Sequence, residues 1–174
     1  AKRKSPRFSR AFSVLLVSVM VYAIGQGAEE SRYASFNPVY LVLAAGVSAS
    51  FVTGDLFNLF VAFEMMLVAS YVLLTLGGRP GQVRSGMSYV VISLVASTFF
   101  ITALALIYAA TGTVNMAELS ERIPELSEGV RTGFSLLLIL VFGIKAGLFP
   151  LFFWLPDSYP TAPGAITAFF AGLL

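Results

Sequence analysis

The run LFNLFVAFEMMLVASYVLLTL, residues 56–76, is predominantly apolar with a single charge, Glu64, and it is long enough to cross a bilayer. A transmembrane helix needs about 20 residues of this kind. Lipid offers the backbone no hydrogen-bond partners, so such a segment crosses as a helix that satisfies its own N–H and C=O groups. Comparable runs cover residues 11–24, 38–53 and 85–110, and another begins near Thr132. Hydrophobic residues make up 57% of the chain and charged ones 11%, which excludes a soluble domain and makes the chain an integral membrane protein. The expected fold is all-α, a polytopic bundle of about five spans.

A second run, GFSLLLILVFGIKAGLFPLFFWL, contains Lys145, the only lysine beyond residue 4. An ammonium at the bilayer centre costs about 2.5–3.5 kcal/mol on insertion scales, so it requires a partner or a wet cavity. Lys145 stands about 18 Å along an ideal helix from Gly133, and Glu64 about 12 Å from Leu56, both near the middle of the hydrocarbon core. Snorkelling to the surface is the competing expectation for Lys145. Burial of either group alone disfavours its charged form, whereas pairing keeps both charged. The pair is therefore a candidate gate for proton movement, with a static salt bridge that fixes helix packing as the competing reading.

Gly143 and Gly147 flank the lysine, and Pro150, Pro156, Pro160 and Pro163 follow it. Proline removes an amide donor and clashes with the preceding turn, so the helix is expected to break just after Lys145 and leave free carbonyls beside it. Broken helices of this kind line transport sites; a re-entrant turn is the plainer alternative.

The polar interruptions supply the remaining candidates. Asp55, in TGDLFN, is placed to cap the helix that follows, with ion binding as the second option. Ser93 and Ser97 stand one turn apart, as do Thr98 and Thr102; such hydroxyls usually bond back to their own helix, and a water wire is the alternative. Gly46, Ser50 and Gly54 recur every fourth residue and offer a small-residue face for close packing. In TGTVNMAELSERIPELSEGVR, Met116, Leu119, Ile123 and Val130 oppose Glu118, Glu121 and Glu128, which predicts a short surface helix. Asn115 with Glu118 forms a potential capping box there, and Pro124 ends or bends the helix. The acids read as a solvated face, or as a cation-concentrating mouth.

With no histidine and no cysteine, the side chains cannot build a disulfide, a thiolate metal site, a haem ligand pair or a histidine base. No phosphate-binding loop is present, and no cofactor is expected. Five of the eleven cations are Lys2, Arg3, Lys4, Arg7 and Arg10, which leaves six cations against nine acids and no basic groove for nucleic acid. Residues 1–10 form a basic N-terminal segment. With the apolar core after it, that segment reads as a membrane helix with a basic flank, or alternatively as a signal peptide.

FVTGDLFNLFVAFEMMLVASYVLLTLGG and FGIKAGLFPLFFWLPDSYPTAP closely resemble the D-type subunits of Mrp-type multisubunit Na+/H+ (cation/proton) antiporters, in the antiporter-like superfamily shared with membrane subunits of respiratory complex I. The resemblance runs from about residue 22 to the end, makes 11–174 an antiporter-like transmembrane domain, and makes APGAITAFFAGLL the start of a sixth span. It implies an inverted-repeat fold, of which the chain represents about a third. It also implies that Glu64 and Lys145 are the proton-pathway pair. Asp157 and Pro150, inside the second motif, join Asp55, Ser93 and Ser97 as secondary candidates.

Complex I relatives carry histidines around the proline turn where this chain has Phe152 and Tyr159, which favours the Mrp branch. The function implied is proton translocation in a sodium-for-proton antiporter of the plasma membrane, with other Mrp subunits, lipid, protons and Na+ as partners. Alternatives are a proton-pumping subunit of a complex I or hydrogenase-type assembly, and an inactive structural membrane module. The basic start predicts a cytoplasmic N-terminus, whereas the family topology implies the reverse for every loop; the first ten residues resemble the family least, so the later loops carry more weight.

Overall fold

The computed structural model describes residues 6–25, 33–162 and 164–173, and among them every regular element is helical. In chain order these are α1 (Pro6–Gly25), α2 (Phe36–Val52), α3 (Leu56–Thr75), α4 (Pro80–Thr111), α5 (Met116–Arg122), α6 (Glu128–Lys145), α7 (Leu155–Ser158) and α8 (Gly164–Leu173). The basic residues Lys2, Arg3 and Lys4, the polar link with Glu29, Glu30 and Arg32, and Pro163 lie outside the described residues.

By length and composition α3 and α4 are able to cross a membrane, while the apolar parts of α1 and α2 are shorter. Only 28% of the apolar window of α3 is buried, so most of it is available to lipid or to further helices. α6 has a comparable length, but Glu128, Arg131 and Lys145 interrupt its apolar character.

Each boundary has a local cause. Asp55 caps α3, its Oδ1 accepting from the Phe57 and Asn58 amides at 2.8 and 3.0 Å. Asn115 does the same for α5, accepting from Ala117 and Glu118 at 2.9 and 3.4 Å. The two caps pair with each other as an isolated antiparallel bridge. In it Leu56 N–H donates to the Val114 carbonyl at 2.9 Å and Met116 N–H to the Gly54 carbonyl at 2.8 Å, so α3 and α5 start from one clamped point. The second half of the capping box is replaced: the Asn115 amide donates to Thr113 Oγ1, and Glu118 pairs with Arg122 one turn on.

α4 begins at Pro80, five residues before the expected start, because proline suits the first turn of a helix and the Gln82 side chain accepts from the Arg79 amide at 3.4 Å. It ends at Gly112, whose φ of 73° is the left-handed conformation that glycine adopts without strain. α6 likewise starts at Glu128 and not at Thr132, with an acid in the first turn where the helix dipole favours it. Pro124 sits in a 3₁₀ turn, Ile123–Glu125, that closes the short surface helix.

α2 packs on α3, α3 on α4, α4 on α6, and α1 on α8. Of the expected small-residue face only Gly46 makes a close approach. A Cβ there would lie 2.8 Å from Met66 Cγ and 3.2 Å from the Ala62 carbonyl, whereas Gly54 faces open space and Ser50 bonds back to Val47. The largest core cluster joins Tyr40, Leu43, Leu73, Trp154, Ile166 and Phe169. A second cluster, around Phe100 and Val141, lies where α3, α4 and α6 meet.

Candidate functional site

α6 stops where the glycines and prolines predict, at Lys145. Gly147, with φ 59°, reverses the chain: its amide donates to Ile144 at 3.2 Å, and the Leu148 amide donates to Gly143 at 2.9 Å. This is a Schellman ending, which satisfies orphan carbonyls of the last turn. Trp154 Nε1 adds a bond of 3.0 Å to the Ile144 carbonyl. The free carbonyls expected beside the lysine are therefore occupied at Gly143 and Ile144, because a left-handed glycine lets the chain fold back over its own helix end. The segment that follows is pinned again further on, where Gln82 Nε2 of α4 donates to the Thr161 carbonyl at 3.1 Å.

Lys145 does not snorkel. Its side chain is 16% exposed and its Nζ lies 3.9 Å from Glu64 Oε1, with Glu64 29% exposed. Ser97 of α4 stands between them. Lys145 Nζ donates to Ser97 Oγ at 3.2 Å, and Ser97 Oγ donates to Glu64 Oε1. Three helices thus contribute one polar group each to a single line. On α3 the helical step places Phe57, Phe60, Val61, Leu67 and Val68 around Glu64, and of these Leu67 is buried and Phe60 half-buried, while Phe57, Val61 and Val68 are exposed.

The other hydroxyls of α4 separate by behaviour. Thr98 and Thr102 bond back to the Leu94 and Thr98 carbonyls at 2.9 and 2.8 Å, as helical threonines usually do. Ser97 is turned into the bundle instead. Its neighbour one turn earlier, Ser93, is buried and lines a cavity of about 180 Å³ together with Lys145, Tyr89, Trp154 and Tyr159. Tyr89 was not among the sequence candidates. The signal available was its place one turn before Ser93 and two before Ser97 on the same face of α4.

One flank of the polar line is apolar. Phe63 adjoins Glu64, Phe100 follows Ser97 by one turn, and Phe142 precedes Lys145 by one turn. Their rings meet pairwise, with centroids 5.4 Å apart for Phe100–Phe142, 6.1 Å for Phe63–Phe100 and 6.2 Å for Phe63–Phe142.

The remaining candidates lie apart from this line. Asp55 acts as a helix cap. Asp157 is exposed in the first turn of α7, and Pro150 is exposed in the turn between α6 and α7.

Residues 53–174 match the family described as NADH:quinone oxidoreductase/Mrp antiporter, TM. The chain belongs to that family. It is 48% identical over 163 residues to the D-type subunit of the Na(+)/H(+) antiporter of Alkalihalophilus pseudofirmus, covering 93% of this chain and 33% of that one. Its fold matches a chain of the Mrp complex from Dietzia sp. DQ12-45-1b with a TM-score of 0.82 at 35% identity, over 93% of this chain and 30% of that one. It also matches a chain of respiratory complex I from Thermus thermophilus, TM-score 0.73 at 26% identity, over 95% of this chain and 39% of that one. The chain thus spans about a third of the length of the family members it matches. The resemblance read from the two motifs is borne out at the level of the family.

Proposed function

We propose that this chain is part of a proton-conducting subunit of a multisubunit cation/proton antiporter of the plasma membrane, and that Glu64, Ser97 and Lys145 carry the proton. The observation that carries the reading is the hydroxyl of Ser97 set between a carboxylate and an ammonium. Ser97 accepts from Lys145 while donating to Glu64, so one concerted shift moves a proton from the ammonium to the carboxylate and leaves the serine unchanged. The ion pair becomes a neutral pair without any net change of charge. In a low-dielectric site both forms are tolerable, because attraction within the ion pair offsets much of its desolvation cost and the neutral pair carries little such cost.

The pair is then a switch: a charge arriving on either side biases it toward the ionic or the neutral form. The name of the 48%-identical relative and the match to the Mrp complex support an assembly with other Mrp subunits and Na+ as the exchanged cation. An inverted-repeat fold completed by further helices is consistent with the third of the family length seen here. A transporter role, not a catalytic one, fits a chain whose converging polar groups form a proton line. The likeness to the complex I chain supports a second reading, a proton-pumping subunit of a redox-driven assembly whose electron carriers lie in other chains.

The test is cation-induced collapse of a pH gradient in everted vesicles carrying the full parent complex, comparing the wild type with Lys145→Ala and Glu64→Ala at matched assembly. Loss of exchange in both is expected. Unchanged exchange with the complex intact reduces the pair to packing residues.

A further inference from the structure

We propose that Tyr89 and Ser93 are the second proton partner of Lys145, reached through water held in the cavity that all three line. This rests on the proton-line reading above and extends it to residues that reading does not use.

Lys145 borders two environments: the Ser97–Glu64 line on one side and the cavity of about 180 Å³ on the other. A proton leaving the line needs an exit that is not lipid. Toward the second core cluster the contacting rings of Phe63, Phe100 and Phe142 offer no hydrogen-bond partner. Three hydroxyl-bearing residues line the cavity, Tyr89, Ser93 and Tyr159, the first two on α4. Tyr89 shares a hydrogen bond of 2.7 Å with Ser70 of α3, and Ser93 lies against the same phenol. Tyr89, Ser93 and Ser97 recur every fourth residue of α4 and all are buried, so a single helix face carries the hydroxyls on both sides of the lysine.

A cavity holds water when it is roomy and offers each molecule two to four polar partners, and at about 30 Å³ per molecule in the liquid this one has room for several. Lys145, Ser93 and Tyr89 supply the partners, while Met66 and Phe142 supply apolar walls. The Lys145 ammonium gives a proton to a cavity water, which passes one of its own to a neighbouring water or hydroxyl; a proton arriving at the Glu64 carboxylate makes the acid, and the reverse of the Ser97 shift then carries it to the neutral amine. Trp154 holds the wall in place. It is buried, its ring lies 5.3 Å from that of Tyr89, and its N–H is bonded to the Ile144 carbonyl beside the lysine.

The experiment uses the full parent complex in everted vesicles and has two arms. Tyr89→Phe keeps the ring that packs on Trp154 and removes only the hydroxyl, and Ser93→Ala removes the other hydroxyl. Each is expected to lower the exchange rate about tenfold or more at matched assembly, short of the full loss in Lys145→Ala. In the second arm Ser93→Cys is treated with a charged, water-soluble thiol reagent, with modification read as the mass gain of this chain. Residues 1–174 contain no cysteine, so a mass gain on the peptide that carries residue 93 reports Ser93→Cys alone. Exposed Ser120→Cys serves as the positive control and exposed Leu94→Cys, on the apolar surface of α4, as the negative one.

Modification of Ser93→Cys together with slowed exchange in the two hydroxyl variants supports the proposal. Full exchange in Tyr89→Phe and Ser93→Ala, with Lys145→Ala inactive, overturns it and leaves the proton line standing. No modification of Ser93→Cys while Ser120→Cys reacts means a dry cavity and also overturns it. Unchanged exchange in Lys145→Ala removes the underlying reading and this one with it.

Discussion

Two ion pairs of the same chemistry sit in opposite surroundings. Glu118 and Arg122 face each other across one turn of α5 at 3.7 Å with side chains about half exposed, 53% and 50%. Glu64 and Lys145 lie 3.9 Å apart on different helices with side chains 29% and 16% exposed. The separations are nearly equal, so distance does not distinguish them. At the surface, water solvates each charge almost as well as the partner does, and such a pair contributes about 0.2–1 kcal/mol. Inside the bundle water reaches each group less, so each leans more on the other and on Ser97. In the proposed function that dependence is what lets the inner pair respond to a passing proton, and the solvated outer pair lacks it.

The largest effect expected from breaking this contrast is on the inner pair. Lys145→Ala alone leaves the Glu64 carboxylate with the Ser97 hydroxyl and no counter-charge, and is expected to lower stability by about 3 kcal/mol. The double variant Glu64→Ala/Lys145→Ala strands nothing and is expected to be less damaging than the sum, with a coupling on the order of 1–3 kcal/mol. Unfolding of the purified complex in detergent, followed across the four forms of the cycle, measures it. Additive losses would mean that the two residues do not share a site.

Ser97→Ala sharpens the comparison by keeping both charges and removing the hydroxyl between them. Exchange is expected to fall roughly 100-fold, the lower end of what a positioned proton-transfer group contributes, while assembly is kept. Ser97→Thr retains the hydroxyl and is expected to recover part of the rate. Equal activity in the alanine and threonine forms would remove the serine from the pathway.

At the surface pair the effects are small and unequal. Arg122→Ala is expected to cost about 1 kcal/mol, mainly through its other bond, from Nη1 to the Thr111 carbonyl at 2.6 Å. Glu118→Ala is expected to cost about 0.3 kcal/mol, and less in high salt. An effect of Glu118→Ala as large as that of Arg122→Ala would show that the exposed pair itself, and not the helix-end bond, holds α5 in place.

Much of this was legible in the residues. The break after Lys145 follows from Gly147 and the prolines behind it, the cap at Asp55 from an acid before an apolar run, and the pairing of Glu64 with Lys145 from two charges at similar depth. The boundaries that shifted, at Pro80 and Glu128, did so because polar first turns are helical here although their hydropathy marks them as loop. Tyr89 escaped notice because an aromatic residue in an apolar helix gives no local sign that its hydroxyl meets a serine nineteen positions away.

Composition and spacing by themselves determined that the chain is apolar and helical, with a helix that breaks after Lys145, and that two charges inside it must find each other. These are local or additive properties: the cost of charge in lipid, the period of the helix and the conformational limits of proline act wherever the residue stands. The tertiary structure alone decided that Ser97 stands between the charges, that Trp154 and Leu148 occupy the carbonyls beside the lysine, and that three phenylalanines meet beside the polar line, two of them, Phe63 and Phe142, also walling the cavity that Lys145 borders. Those relations join residues 33 and 48 positions apart in sequence. They follow from the seating of α4 against α3 and α6. No local pattern encodes such distances, because they belong to the packing of whole helices and not to any one segment.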